Sequence, residues 1–141
     1  MLSVGIIGLG TIGNVVAKAL DEGINGLSWV AIASGRRDKA LASIASLSSP
    51  VELMSIDEVA ACCDVIVDCA PKLVFRDIAI AAFSQGRILV TVSGAGILAN
   101  EDIEDMAREN GGQLVLATGA LLGLDAVRAA AEGSIHSVRM I

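Results

Sequence analysis

Aromatic side chains are nearly missing from this 141-residue chain, which has one Trp, two Phe and no Tyr. Its core must therefore be Ala, Val, Ile and Leu, drawn from a 54% hydrophobic content. That palette suits strands buried on both faces and helices packed through small residues. Basic residues are also scarce, ten against sixteen acidic ones. A net charge of −6 argues against a nucleic-acid partner, and leaves any anionic ligand to local backbone donors and a few Arg. Three cysteines are too few for a disulfide framework. Cys62 and Cys63 are adjacent and lack the C-x-x-C spacing of metal sites, so no metal is expected and all three cysteines read as small buried apolar residues. The single histidine, His136, reads as structural.

Long unbroken apolar runs are missing as well. The first 17 residues carry no charged side chain, but four glycines interrupt them and no Lys or Arg precedes them, which is not the pattern of a signal peptide. The uncharged stretch from Asn110 to Leu124 is short and broken by Gly111, Gly112, Gly119 and Gly123, so it fails as a membrane span. A cytoplasmic protein with no membrane partner is expected. The length fits one domain.

Glycine is plentiful, and its placement is informative. Ser3 to Gly13 reads as an apolar strand, a G-x-G-x-x-G turn and the first turn of a helix. In that pattern Gly8 permits the tight turn, Gly10 lets backbone approach a pyrophosphate, and Gly13 lets helix and strand pack closely. Backbone N–H groups at the helix start, around Thr11 and Ile12, then face the phosphates with the positive end of the helix dipole.

Further strands are expected at about Trp29–Ala33, Val51–Met54, Asp64–Cys69, Arg87–Val92, Gln113–Ala117 and Ile135–Ile141. Helices are expected at about Thr11–Glu22, Asp38–Ser46 and Val74–Ser84, after the Ser55–Glu58 capping box, after an Asn100 cap, and from near Asp125 to Glu132. The alternation predicts a single-domain α/β fold, a doubly wound parallel sheet of Rossmann type. Residues 1–134 form the dinucleotide-binding domain in this reading. Residues 135–141 are either a terminal strand or the start of a second, catalytic domain.

Ligands in open α/β sheets bind beyond the carboxyl ends of the strands. Five small-residue loops fall there: Gly8–Gly13, Ser34–Arg37, Cys69–Pro71, Ser93–Gly96 and Thr118–Gly123. The second bears on cofactor choice. Sites selective for NAD place an acid about 20 residues past the glycines, yet no acid lies between Leu27 and Arg37. Ser34 offers a hydroxyl, and Arg36 and Arg37 offer forked cations suited to a 2′-phosphate. NADP is the expected cofactor, with NAD as a tolerated second. Asp68 and Asp125 are acid–base candidates, but each has a simpler reading, as a strand-end residue bonded to backbone donors and as a helix-start residue. Cys69 has no identifiable base near it in sequence.

Taken together, Val4–Gly13, Asp68-Cys69-Ala70, Val92-Ser93-Gly94-Ala95 and above all Gly119-Ala120-Leu121-Leu122-Gly123-Leu124-Asp125-Ala126 resemble the N-terminal domain of the L-aspartate dehydrogenase family. The last segment looks like that family's G-A-[IL]-x-G-x-D-A, and the resemblance spans essentially the whole chain. It implies reversible oxidation of L-aspartate to iminoaspartate with NAD or NADP, feeding NAD biosynthesis. It also implies that Gly119, Ala120 and the glycine turn hold cofactor and that Ser93, Gly94 and Ala95 border the nicotinamide. The catalytic group and most substrate contacts would lie in a second domain, and His136 does not match the catalytic position. A small amino-acid substrate is expected, and a homo-oligomer stays open. Relatives of homoserine dehydrogenase or dihydrodipicolinate reductase, and a stand-alone dinucleotide-binding module, are the alternatives.

Overall fold

Six short strands form one parallel sheet, with helices packed on both faces of its centre. The computed structural model describes residues 1–117 and 124–139. Its strands are β1 (Leu2–Ile7), β2 (Leu27–Ala33), β3 (Glu52–Met54), β4 (Val65–Asp68), β5 (Ile88–Thr91) and β6 (Gln113–Leu116). Their order is β3-β2-β1-β4-β5-β6, with every pairing parallel. This is the dinucleotide-binding order, with its reversal point between β1 and β4. The helices are α1 (Thr11–Asp21), α2 (Arg37–Ile44), α3 (Ile56–Cys62), α4 (Phe75–Ser84), α5 (Gly94–Leu98), α6 (Ile103–Glu109) and α7 (Leu124–Ala130). A 3-10 turn at Lys72–Val74 leads into α4.

Side chains alternate between two cores, one on each face of the sheet. Val4, Ile6, Trp29 and Ile32 pack with Ala17 and Leu20 of α1. Ile7, Ala31, Ala33, Ile66 and Leu89 pack on the other face with α3, α4 and α6. Pairing shifts between Val4 and Gly5, where Val30 is an extra residue on β2, so Val30 and Ala31 join the same core. All three aromatic residues are used here: Trp29 on one face, and Phe75 and Phe83, fully buried, on the other. Glycines let backbone approach the two Phe rings. A Cβ on Gly96 would stand 2.6 Å from Phe75 Cγ, and one on Gly112 would stand 2.8 Å from Phe83 Cδ1.

Several expectations are corrected. The Ser93–Gly96 stretch is not a loop: Gly94–Leu98 is a short helix, held by packing on Phe75. Asn100 does not cap α6, whose N-cap position is Asp102. Its amide instead donates to Gly96 O at 2.8 Å and its carbonyl accepts from Arg76 at 3.0 Å, tying α5 to α4. Cys62 is exposed at the end of α3, while Cys63 is buried and Cys69 partly so. Residues 135–139 form no strand, and Ile135 and Val138 are exposed. Among the described residues, no helix is long and apolar enough to cross a membrane.

Candidate cofactor site

The carboxyl ends of β1, β2 and β4 are knitted together before any ligand is considered. Gly8 N–H donates to Ala33 O and Cys69 N–H donates to Ile7 O, both at 2.8 Å. Gly8 has φ +96°, and a Cβ there would lie 2.7 Å from Ala70 N, so the turn requires glycine twice over. A Cβ on Gly13 would collide with the Gly8 carbonyl oxygen. Gly10 differs: a Cβ there meets nothing within 4 Å, so its missing side chain leaves open space above the turn. Gly10 is the N-cap of α1 and provides no side-chain cap, and the first turn of α1 holds no acid. The helix start therefore offers its backbone N–H groups to an anion.

A cavity of about 890 Å³ opens on this edge. It is lined by Gly8 and Gly10 from the glycine turn, Ser34, Arg36 and Arg37 from the β2–α2 turn, and Cys69, Ala70 and Pro71 after β4. The fold thus brings three of the five expected loops together. Thr11, Ile12 and Gly13 lie at the start of α1 behind the turn rather than in the cavity wall. Ser93 follows β5, and Gly94 and Ala95 open α5; none of the three lines the cavity. Gly119 and Ala120 lie outside the described residues.

Two contributions escaped the sequence reading. Met54, Ser55 and Ile56, at the end of β3, form part of the wall. Their sequence signal was present, since β3 ends on the same sheet edge as the other loops. The second is Thr91, fully buried and paired in register with Asp68. Its hydroxyl donates to Asp68 Oδ2 at 2.7 Å and accepts from Ser93 N–H at 2.9 Å. Asp68 Oδ1 accepts from Ala70 N–H at 2.9 Å. Asp68 is therefore bonded to a backbone donor, and it also joins the loops after β4 and β5. Burial pushes its pKa upward from the ordinary aspartate value, while the Thr91 hydroxyl and Ala70 N–H pull it back.

The remaining titratable groups narrow the chemistry. Burial, with the Asp68 charge behind it, pushes the Cys69 thiol up to about 11, so at neutral pH it is protonated and a poor nucleophile. Arg36 and Arg37 are exposed and form no ion pair among the described residues. His136 is exposed in the segment after α7. The assembled site holds backbone anion donors, two exposed guanidinium groups and a cavity of the size that small-molecule ligands occupy, with open space at Gly10.

Comparison with known proteins agrees. Over 140 residues the chain is 44% identical to an L-aspartate dehydrogenase of Bradyrhizobium diazoefficiens, covering 99% of this chain and 50% of that protein. It is 37% identical to L-aspartate dehydrogenase 3 of Bordetella bronchiseptica, covering 99% of this chain and 52% of that protein. The chain spans about half the length of these curated relatives. Among solved structures, it resembles scyllo-inositol dehydrogenase from Lactobacillus casei with bound NAD(H) and scyllo-inositol. That likeness has a TM-score of 0.72 at 16% identity, covers 94% of this chain and 41% of the other, and shows the shared fold. Residues 8–117 match the family model described as homoserine dehydrogenase, NAD binding domain, and the chain belongs to that family.

Proposed function

We propose that the chain is the cofactor-binding part of an NADP-using L-aspartate dehydrogenase, with NAD as a tolerated second cofactor. The observation that carries this reading is the Gly8–Gly13 turn and the unpaired Arg36 and Arg37 lining one cavity. Gly8, Gly10 and the N–H groups of Thr11, Ile12 and Gly13 hold the pyrophosphate. Ser34, Arg36 and Arg37 hold the adenosine ribose and its 2′-phosphate. Cys69, Ala70, Pro71, Gly119 and Ala120 are further cofactor contacts, and Ser93, Gly94 and Ala95 border the nicotinamide.

When bound, the cofactor supplies the hydride acceptor. L-Aspartate loses a hydride from its α-carbon and a proton from its amino group, giving iminoaspartate, reduced cofactor and a proton. The chain orients the cofactor for this reaction in the cytoplasm, and its product serves NAD biosynthesis. Residues 1–134 are the binding domain and 135–141 lead to the catalytic one. The identity to two L-aspartate dehydrogenases favours this substrate over homoserine.

The test compares L-aspartate-dependent NADPH formation by the chain and by the product of its full reading frame. Turnover by the longer protein with only binding by the chain supports the proposal. Turnover of another substrate in preference to aspartate overturns the substrate assignment.

A further inference from the structure

Asp68 is 1% exposed, and among the described residues it forms no ion pair with Lys, Arg or His. Buried charges are ordinarily paired with a cation. Its oxygens both face donors: Ala70 N–H on Oδ1 and the Thr91 hydroxyl on Oδ2. The Thr91 oxygen in turn takes the Ser93 N–H, which directs the hydroxyl proton toward Asp68. These bonds favour the carboxylate, against the burial that pushes the Asp68 pKa upward. The site is thus hydrogen-bonded but not neutralised.

Its place in the fold says what supplies the missing positive charge. Asp68 pairs in register with Ile7, directly before the glycine turn. Ala70, to which it is bonded, is a cavity wall residue. The carboxylate therefore lies one residue behind the wall, on the β4–β5 side of the reversal point. In this strand order the adenosine half occupies the β2 side, where Arg36 and Arg37 stand, and the nicotinamide half occupies the β4 side. An oxidised nicotinamide ring carries a positive charge and a reduced one does not.

We propose that Asp68 is a specificity-determining residue for cofactor oxidation state, its buried carboxylate favouring the oxidised, cationic nicotinamide over the reduced form. The inference rests on the dinucleotide reading given above. Asp68 touches no reacting atom in this role and acts through its charge across the Ala70 wall.

The experiment measures dissociation constants of NADP⁺ and NADPH for the chain and for Asp68→Asn. An amide can keep the Ala70 bond through its oxygen and donate to the Thr91 hydroxyl, so the wall keeps its shape. The ratio of the two constants is expected to shift about three- to tenfold toward the reduced cofactor, on the scale by which one neighbouring charge moves a charge equilibrium. Asp68→Ser, also neutral, gives the same readout if the amide disturbs folding. Thr91→Ser keeps the hydroxyl bonds to Asp68 and Ser93 and removes only a buried methyl group, and is expected to leave the ratio near that of the unsubstituted chain. An unchanged ratio in a folded neutral variant overturns the proposal, as does an equal shift in Thr91→Ser, which would assign the effect to wall shape. Failure of the unsubstituted chain to bind either form would instead sink the dinucleotide reading itself.

Discussion

Gly13 faces the carbonyl of Gly8 with no room for a methyl group, whereas Gly10 faces open space. The two glycines therefore fail differently when substituted. Gly13→Ala forces helix and turn apart and is expected to cost about 1–3 kcal/mol of stability in urea unfolding, as overpacking does. Gly10→Ala is expected to fold normally and to lose cofactor affinity, because its methyl group enters the space left for phosphates; a thermal scan beside a binding titration separates the two. Arg36 and Arg37 are exposed and form no ion pair among the described residues, so the proposed 2′-phosphate contact can be tested without disturbing the fold. Removing both is expected to weaken NADPH by roughly tenfold or more, the scale of one lost charge-assisted hydrogen bond, and to leave NADH nearly unchanged. Equal losses for both cofactors would refute the 2′-phosphate assignment. These residues were legible in the sequence because each answers a local demand: a turn, a close approach, a cation where an NAD-selective site would place an acid. Thr91 was not. A threonine ending a strand looks like an ordinary β-former, and its role exists only through its register with Asp68.

Among elements, α3 shows how a sequence signature becomes geometry. Ser55 and Glu58 satisfy each other's backbone in a complete capping box, which starts the helix beside the cavity wall. The backbone and hydroxyl of Ser55 hold the Glu58 carboxyl below its ordinary value. A depressed native pKa contributes stability that is present above the unfolded glutamate value of about 4.3 and lost as pH falls through the native value. Glu58→Gln should therefore lower the melting temperature at pH 7, and the gap should close in strong acid, where the native carboxyl is itself neutral. A gap independent of pH would contradict the charged cap. The α5 helix taught the opposite lesson. Two glycines within Gly94-Ala95-Gly96 read as loop on propensity alone. The helix forms because Gly96 packs on Phe75 and its carbonyl receives the Asn100 amide, partners supplied by tertiary structure. Gly96→Ala, driven into the Phe75 ring, is expected to destabilise the fold by about 1–3 kcal/mol in the same unfolding assay.

At the scale of the whole molecule, the strand order does more than any residue to define function. Reversal between β1 and β4 gathers loops from opposite ends of the chain onto one edge, and strict strand–helix alternation made that edge predictable. What alternation could not supply was which loops share one cavity. The β3 end joins it and the residues after β5 do not. The chain spans about half of its curated relatives, which fits an architecture in which binding and substrate chemistry are divided. As proposed, this chain is a dinucleotide cradle tuned for a 2′-phosphate. Calorimetric titration of the 141-residue chain with NADPH and with NADH tests it most directly. Saturable one-to-one binding of both, with NADPH the tighter, is the predicted result; no binding of either, or a clear preference for NADH, would contradict it.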